Sequence, residues 1–254
     1  MDSADGTRLR VTVAGEGARD LLIVPGLAEH AGRYEHVTPR LVEAGWSCHV
    51  LELRGHGHSG GKRGHVMRWG EYLDDVRAAA KDLRPGWALL AHSMGGLVSL
   101  TAALEGVAPA KIALSNPLLG VKFEPPRLKV GAGRLLSRIL PGLSLYNELK
   151  LEWLSRDPKV GEAYDKDDLV YRTVTPRWFT EMVAAQGRAL SGTYGMPLGM
   201  FVGDADMITD PAVNLAFAER TRASVKVYPE HRHEIFNEIG KERVIADVAE
   251  WLNA

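Results

Sequence analysis

Trp87-Ala88-Leu89-Leu90-Ala91-His92-Ser93-Met94-Gly95-Gly96-Leu97-Val98 is an apolar run, a cluster of small residues around a serine, and a second apolar run. The second run continues through Leu100, Ala102, Ala103 and Leu104 at roughly helical spacing. A buried strand, a sharp turn with serine at its apex and a helix is the context in which a small-x-Ser-x-Gly pattern acquires chemistry, because the turn lifts the serine oxygen above the sheet edge. Residues 91 and 95 must be small, since the turn brings backbone against backbone. Alanine stands at 91 where the pattern usually has glycine. The competing reading is a helix N-terminus capped by Ser93.

A serine hydroxyl is a weak nucleophile without a base, so the first reading requires a histidine and a carboxylate elsewhere. In a strand-turn-helix arrangement they follow the serine in the order acid, then histidine. The C-terminal third supplies both. Leu198 to Gly203 reads as a buried strand running into Asp204-Ala205-Asp206-Met207-Ile208-Thr209-Asp210. Ser224-Val225-Lys226-Val227-Tyr228 alternates as a strand and leads into Pro229-Glu230-His231-Arg232-His233-Glu234. Asp204, Asp206 and Asp210 are thus candidate acids, and His231 and His233 candidate bases. Loops beyond the carboxyl ends of parallel strands are where open α/β sheets gather functional groups.

Four stretches together resemble the α/β-hydrolase superfamily, in its monoacylglycerol lipase and lysophospholipase branch, the serine aminopeptidase S33-type hydrolases. Pro25-Gly26-Leu27-Ala28-Glu29-His30-Ala31-Gly32-Arg33-Tyr34 is similar to the branch's His-Gly-x-x-Glu-His-x-x-Arg-Tyr, and Leu53 to His65 to its Arg-Gly-His-Gly-x-Ser segment. The serine turn is the third. Gly203-Asp204-Ala205-Asp206 with His233-Glu234-Ile235-Phe236-Asn237-Glu238 is the fourth. The resemblance implies Ser93 as nucleophile, His233 as general base and acid, and Asp206 as the group that holds the imidazolium. It implies an oxyanion hole from the backbone N–H groups of Leu27 and Met94. Pro25 replaces the usual histidine, which leaves the Leu27 donor in place and the orientation of the loop open. Glu29, His30 and Arg33 are expected to brace that loop.

Strands are predicted near 8–13, 21–25, 46–52, 87–91, 111–116, 198–203 and 224–228, and helices near 33–44, 69–84, 94–106, 211–222 and 240–252. This alternation gives an α/β fold, a mostly parallel central sheet flanked by helices. The core would comprise 1–116 and 196–254. The interval 117–195 is too long for a loop and is expected to be a helical cap insertion. A helix within Val130 to Leu145, broken at Pro141-Gly142, would carry Leu135, Leu136, Ile139, Leu140, Leu143 and Leu145. A second, near Pro176 to Leu190, would offer Trp178, Phe179, Met182 and Val183. An apolar cap face would suit an acyl chain, at about 0.8 kcal/mol per methylene removed from water.

Composition excludes several rivals. The 254 residues suffice for one large core. Lysine and arginine number 31 against 32 aspartate and glutamate, so no global charge recruits nucleic acid. The single cysteine, Cys48, excludes an internal disulfide and lies in a predicted buried strand. The N-terminal residues lack a basic region and an apolar core, so a soluble, cytoplasmic enzyme is expected, with at most peripheral membrane contact through the cap. Gly55-His56-Gly57-His58-Ser59-Gly60 has dinucleotide-type glycine spacing, but no helix begins there to receive a phosphate. His56, His58 and His65 match no metal-binding spacing. No cofactor and no metal are expected.

The expected reaction is hydrolysis of carboxylic esters of single-chain lipids, monoacylglycerol or lysophospholipid, through an acyl-enzyme. The alternatives are a small-ester esterase, an aminopeptidase that uses Asp165, Asp167 and Asp168 to receive an ammonium group, and a non-catalytic binding protein of the same fold.

Overall fold

The computed structural model describes residues 1–122 and 127–254. Seven strands form the main sheet: β1 (Arg10–Ala14), β2 (Arg19–Val24), β3 (Trp46–Glu52), β4 (Ala88–His92), β5 (Ile112–Ser115), β8 (Leu198–Gly203) and β9 (Ser224–Tyr228). Their order is β1-β3-β2-β4-β5-β8-β9, with β1 antiparallel to β3 and every other pairing parallel. All seven fall where the sequence predicts them.

Both faces of the sheet are buried, and the two-residue period of the strands assigns side chains to each. Leu22 and Val24 join one apolar cluster with Leu73, Leu97, Val98 and Phe217, from α2 (Gly70–Ala80), α3 (Met94–Leu104) and α7 (Pro211–Thr221). Leu21 and Ile23 point to the other face, packing with Leu41 of α1 (Thr38–Glu43) and Val244, Val248 and Leu252 of α8 (Lys241–Asn253). Cys48 lies on this second face, and burial pushes its thiol up to about 12. It is a packing residue.

One predicted helix is divided. Residues 33–44 form a 3-10 helix, Ala31–Tyr34, and then α1. His30 caps the first by accepting from the Gly32 N–H, and Pro39 in the first turn of α1 has no N–H to continue a longer helix. Between β5 and β8 the chain forms α4 (Arg127–Ile139), α5 (Pro158–Asp165), α6 (Pro176–Ser191) and a small hairpin of β6 (Leu145–Tyr146) and β7 (Thr173–Val174). Trp178, Met182, Ala185 and Ala189 of α6 enter the core cluster beside α3, whereas Val183 faces solvent. On α4, Leu135 and Ile139 are 60% and 64% exposed, so these two apolar side chains turn outward. Among the described residues, no helix is long and apolar enough to cross a membrane.

The chain starts the parallel sheet at β2, adds β3 on one side and then β4 on the other. A crevice therefore opens beyond the carboxyl ends of β2 and β4, at the point where strand order reverses. The turn after β4 contains Ser93, and the loop after β2 contains Leu27.

Candidate active site

Ser93 stands between β4 and α3 with φ 50° and ψ −118°, a conformation that costs a non-glycine residue about 1–3 kcal/mol. The surroundings hold it there. Its N–H donates to the Ser115 carbonyl at 3.0 Å, and its own carbonyl accepts from Gly96, Leu97 and Leu118. A Cβ on Gly95 would overlap the Val24 and Pro25 carbonyl oxygens, so only glycine lets the turn approach β2 this closely. The Ser93 side chain makes no capping hydrogen bond to α3. Its Oγ instead lies 2.9 Å from Nε2 of His233.

His233 lies in the loop after β9, and its Nδ1 is 2.8 Å from Oδ2 of Asp206, in the loop after β8. Asp206 is buried and accepts three further bonds: from Ile208 N–H (2.7 Å), Thr209 N–H (3.1 Å) and Thr209 Oγ1 (2.6 Å). Burial works against charge on both partners. Each nonetheless favours the other's charged form: Asp206 is shifted below the ordinary carboxylate value, and His233 above 6.5.

The rival candidates are occupied elsewhere. Exposed Asp204 accepts from the Glu230 N–H at 2.7 Å. Asp210 caps α7 through the Ala212 N–H, and His231 Nδ1 bonds the Pro229 carbonyl.

The loop after β2 is pinned from within. The Gly26 N–H donates to Oε2 of Glu29 at 2.6 Å, and the Tyr34 hydroxyl donates to the same oxygen at 2.8 Å. Oε1 of Glu29 lies 3.6 Å from Arg33 Nε, and the Arg33 guanidinium also pairs with Glu234, the residue after His233. Burial opposes charge on Glu29, but His92, Arg33 and its two donors hold it ionised. Glu234 is shifted upward by burial, Glu29 adding to the effect. Glu29 thus fixes the loop that follows Pro25, and Arg33 ties it to the histidine loop. A Cβ at Gly26 would stand 3.2 Å from the Ser93 Cβ, a measure of how closely loop and serine approach. Among the described residues, no acceptor meets the N–H of Leu27 or of Met94.

His30 reaches outward, its Nε2 2.7 Å from Asp167. His56 is buried, with Nδ1 on the Arg54 carbonyl and Nε2 2.7 Å from the Tyr171 hydroxyl, and burial pushes its pKa down to about 4. His65 bonds Thr175, and His58 is exposed. These three histidines tie the loop after β3 or face solvent.

Ser93 and His233 open into a cavity of about 250 Å³. Its walls are mostly apolar: Leu27, Leu118, Leu154, Trp178, Phe179 and Met182, with Val121, Leu149, Val174 and Ile208. Glu29, His92, Asn147, Tyr164 and Glu234 supply the polar edge. None of Leu135, Leu136, Ile139, Leu140, Leu143 or Leu145 lines it. Asp165, Asp167 and Asp168 are also outside it. Asp165 pairs with Arg172, Asp167 with His30, and Asp168 is exposed.

Four similarities accompany this geometry. Residues 16–240 match the profile of the serine aminopeptidase S33 family. The chain is 32% identical over 246 residues to a monoacylglycerol lipase of Mycolicibacterium smegmatis, covering 91% of this chain and 87% of that protein. It is 29% identical to phospholipase YtpA of Bacillus subtilis, over 88% and 91% of the two chains. Among solved structures, the monoacylglycerol lipase of Paleococcus ferrophilus superimposes with a TM-score of 0.90 at 29% identity, covering 96% of this chain and 98% of the other.

Proposed function

The chain belongs to the serine aminopeptidase S33 family of hydrolases, and from that premise we propose that it cleaves carboxylic esters of single-chain lipids, a monoacylglycerol or a lysophospholipid. The observation that carries the reading is the Ser93–His233–Asp206 chain, at 2.9 and 2.8 Å, set against an apolar cavity.

In this reading the acyl chain lies along the apolar wall and the ester carbonyl sits over Ser93. His233 Nε2 takes the Ser93 proton as Oγ attacks the carbonyl carbon. Asp206 stabilises the imidazolium that forms. The oxyanion is received by the N–H groups of Leu27 and Met94, the latter at the start of α3, where the helix dipole favours negative charge. Collapse of the tetrahedral intermediate breaks the bond to the alcohol, which leaves with the proton held on His233. Water, deprotonated by the same imidazole, then attacks the acyl-enzyme and releases the fatty acid.

Residues 117–195 act as the cap in this account. Trp178, Phe179 and Met182 of α6 roof the acyl site. The outward-facing Leu135, Ile139 and Leu140, with Arg134 and Arg138 beside them, suit a peripheral contact with a lipid surface. The ester reading is favoured over the aminopeptidase reading because the three aspartates proposed to hold an ammonium lie outside the cavity.

The test is fatty-acid release from monooleoylglycerol and from oleoyl lysophosphatidylcholine, beside aminoacyl p-nitroanilides. Release from either lipid with inert anilides is expected. Anilide cleavage with inert lipids would overturn the substrate assignment.

A further inference from the structure

Asn116 follows β5 directly and is fully buried, at 0% exposure, with a positive φ of 39°. It lines no part of the cavity, and its amide hydrogen-bonds backbone groups rather than the side chains of Ser93, His233 or Asp206. Its amide nevertheless bonds two of their loops. Nδ2 donates to the His233 carbonyl at 2.8 Å and the Arg232 carbonyl at 3.2 Å. Oδ1 accepts from the N–H of Gly203, the last residue of β8 before the Asp206 loop, at 2.9 Å. The Asn116 N–H donates to the Phe201 carbonyl at 3.1 Å. Its neighbours hold the third loop: Ser115 O accepts from Ser93 N–H, and Leu118 N–H donates to Ser93 O, each at 3.0 Å.

One turn therefore fixes the backbone under Ser93, His233 and the approach to Asp206. Among the described residues of this turn, Asn116 does so with its side chain. An asparagine amide has two donors and an acceptor oxygen, and both ends are used. Buried bonds of this kind have no water to replace them when lost. The histidine loop has other ties, from His233 N–H to Trp153 O at 3.3 Å and from Glu234 N–H to Leu154 O at 2.8 Å. Those bonds run to the segment between β5 and β8. Among the described residues, Asn116 alone joins the His233 carbonyl to the end of β5, where Ser93 is also held.

We infer that Asn116 is a positioning residue for ester hydrolysis: its amide sets the distance and angle of His233 relative to Ser93 and Asp206. The inference rests on the serine-hydrolase reading above. A misplacement of about 1 Å at such a site lowers turnover by about 100-fold.

The test uses Asn116→Gly and Asn116→Asp in the whole protein. Glycine adopts positive φ without strain, so the first variant removes the amide alone. Aspartate keeps the shape and the acceptor for Gly203 but has no donor for the His233 carbonyl. Active sites are counted with a fluorophosphonate, and kcat and KM for p-nitrophenyl butyrate are expressed per titrated site. Both variants should lose about 100-fold in kcat with KM within twofold. In Asn116→Gly the acid limb of kcat/KM should move to lower pH, since His233 would lose part of its hold on Asp206; Asn116→Asp adds a carboxylate beside the histidine loop, so that variant is read by kcat and KM alone. His92, Glu29 and Glu234, the other titratable groups facing the imidazole, are untouched by either substitution.

A kcat per titrated site equal to the wild type, with the limb unmoved, would overturn the inference and leave Asn116 a scaffold residue. Failure of both variants to yield titratable sites would overturn it equally, by assigning the residue to folding. The underlying reading fails separately, if the wild type itself is neither labelled by the phosphonate nor active on the ester.

Discussion

Gly95 stands directly against Val24: a Cβ on the glycine would overlap the Val24 carbonyl oxygen, with the Pro25 carbonyl beside it. The turn that carries Ser93 and the loop that carries Leu27 are therefore one packed unit, and neither moves without the other. Gly95→Ala should force them apart. Overpacking of this kind costs about 1–3 kcal/mol, and each kcal/mol lowers Tm by about 2–4 °C in a protein of this size. The expected result is a Tm several degrees lower with a fall in kcat, read by thermal melting and ester hydrolysis on the same preparation. An unchanged melt would contradict the packing described.

The pH dependence follows from His233. Burial disfavours its charged form, but Asp206 outweighs burial and holds its pKa above 6.5. Only the neutral imidazole accepts the Ser93 proton, so activity is lost as pH falls through that raised value. The acid limb of kcat/KM should lie above pH 6.5. Asp206→Asn should lower kcat by about 10⁴-fold, and its residual activity should show an acid limb at lower pH. A rate profile flat from pH 8 to pH 5 would exclude His233 as the base.

Glu29 bears the charge that pins the loop after β2. Glu29→Gln keeps the volume but weakens the bonds from Gly26 N–H and Tyr34 Oη and removes one of the two carboxylate partners of Arg33, the other being Glu234. A hydrogen bond to a charged group contributes about 1.5–3 kcal/mol, so kcat should fall about tenfold to a hundredfold. KM should change little, because in the proposed mechanism the loop acts on the oxyanion rather than on the acyl chain. Affinity for a trifluoromethyl ketone, whose adduct carries an oxyanion, should weaken in parallel with kcat. Loss of kcat with undiminished affinity for the ketone would separate Glu29 from the oxyanion loop.

The acyl wall makes its own prediction. Phe179→Ala and Met182→Ala enlarge the cavity, and Met182 is buried in the core cluster beside α3. Met182→Ala should cost about 2–5 kcal/mol in stability. Both variants should shift the optimum toward longer acyl chains, measured as the ratio of kcat/KM for dodecanoyl and butyryl esters. An unaltered ratio in both would place the acyl chain elsewhere.

Much of the fold was legible because the strands are nearly uninterrupted apolar runs. Leu21 to Val24 and Leu89 to Ala91 fill both faces of the sheet, and such runs declare buried parallel strands without help from the rest of the chain. The division of 33–44 turned on the cap at His30 and on Pro39, the first of which depends on a side-chain hydrogen bond. The hairpin of β6 and β7 has two residues per strand, too few to show a period. For the site, Ser93, Asp206 and His233 were named from motif and order, and the fold brings their side chains together. The motif register favours Asp206 over Asp204 and Asp210, and the hydrogen bonds of those two to the N–H groups of Glu230 and Ala212 engage them elsewhere. Asn116 left no signal. Its amide works through bonds to residues 87 to 117 positions away, and Ser-Asn-Pro reads as an ordinary turn. Leu135 and Ile139 of α4 mark where the pattern is silent. Their amphipathic spacing was genuine, but nothing in it distinguishes a face turned to the cavity from one turned to solvent.

The most direct measurement is hydrolysis of p-nitrophenyl esters from acetyl to palmitoyl, by the wild type and by Ser93→Ala. Each methylene taken from water into the cavity contributes about 0.8 kcal/mol, or about fourfold in kcat/KM. The account predicts a rise of that order from acetyl through the medium chain lengths, all of it lost in Ser93→Ala with the fold intact by circular dichroism. Hydrolysis that survives in Ser93→Ala would contradict the account.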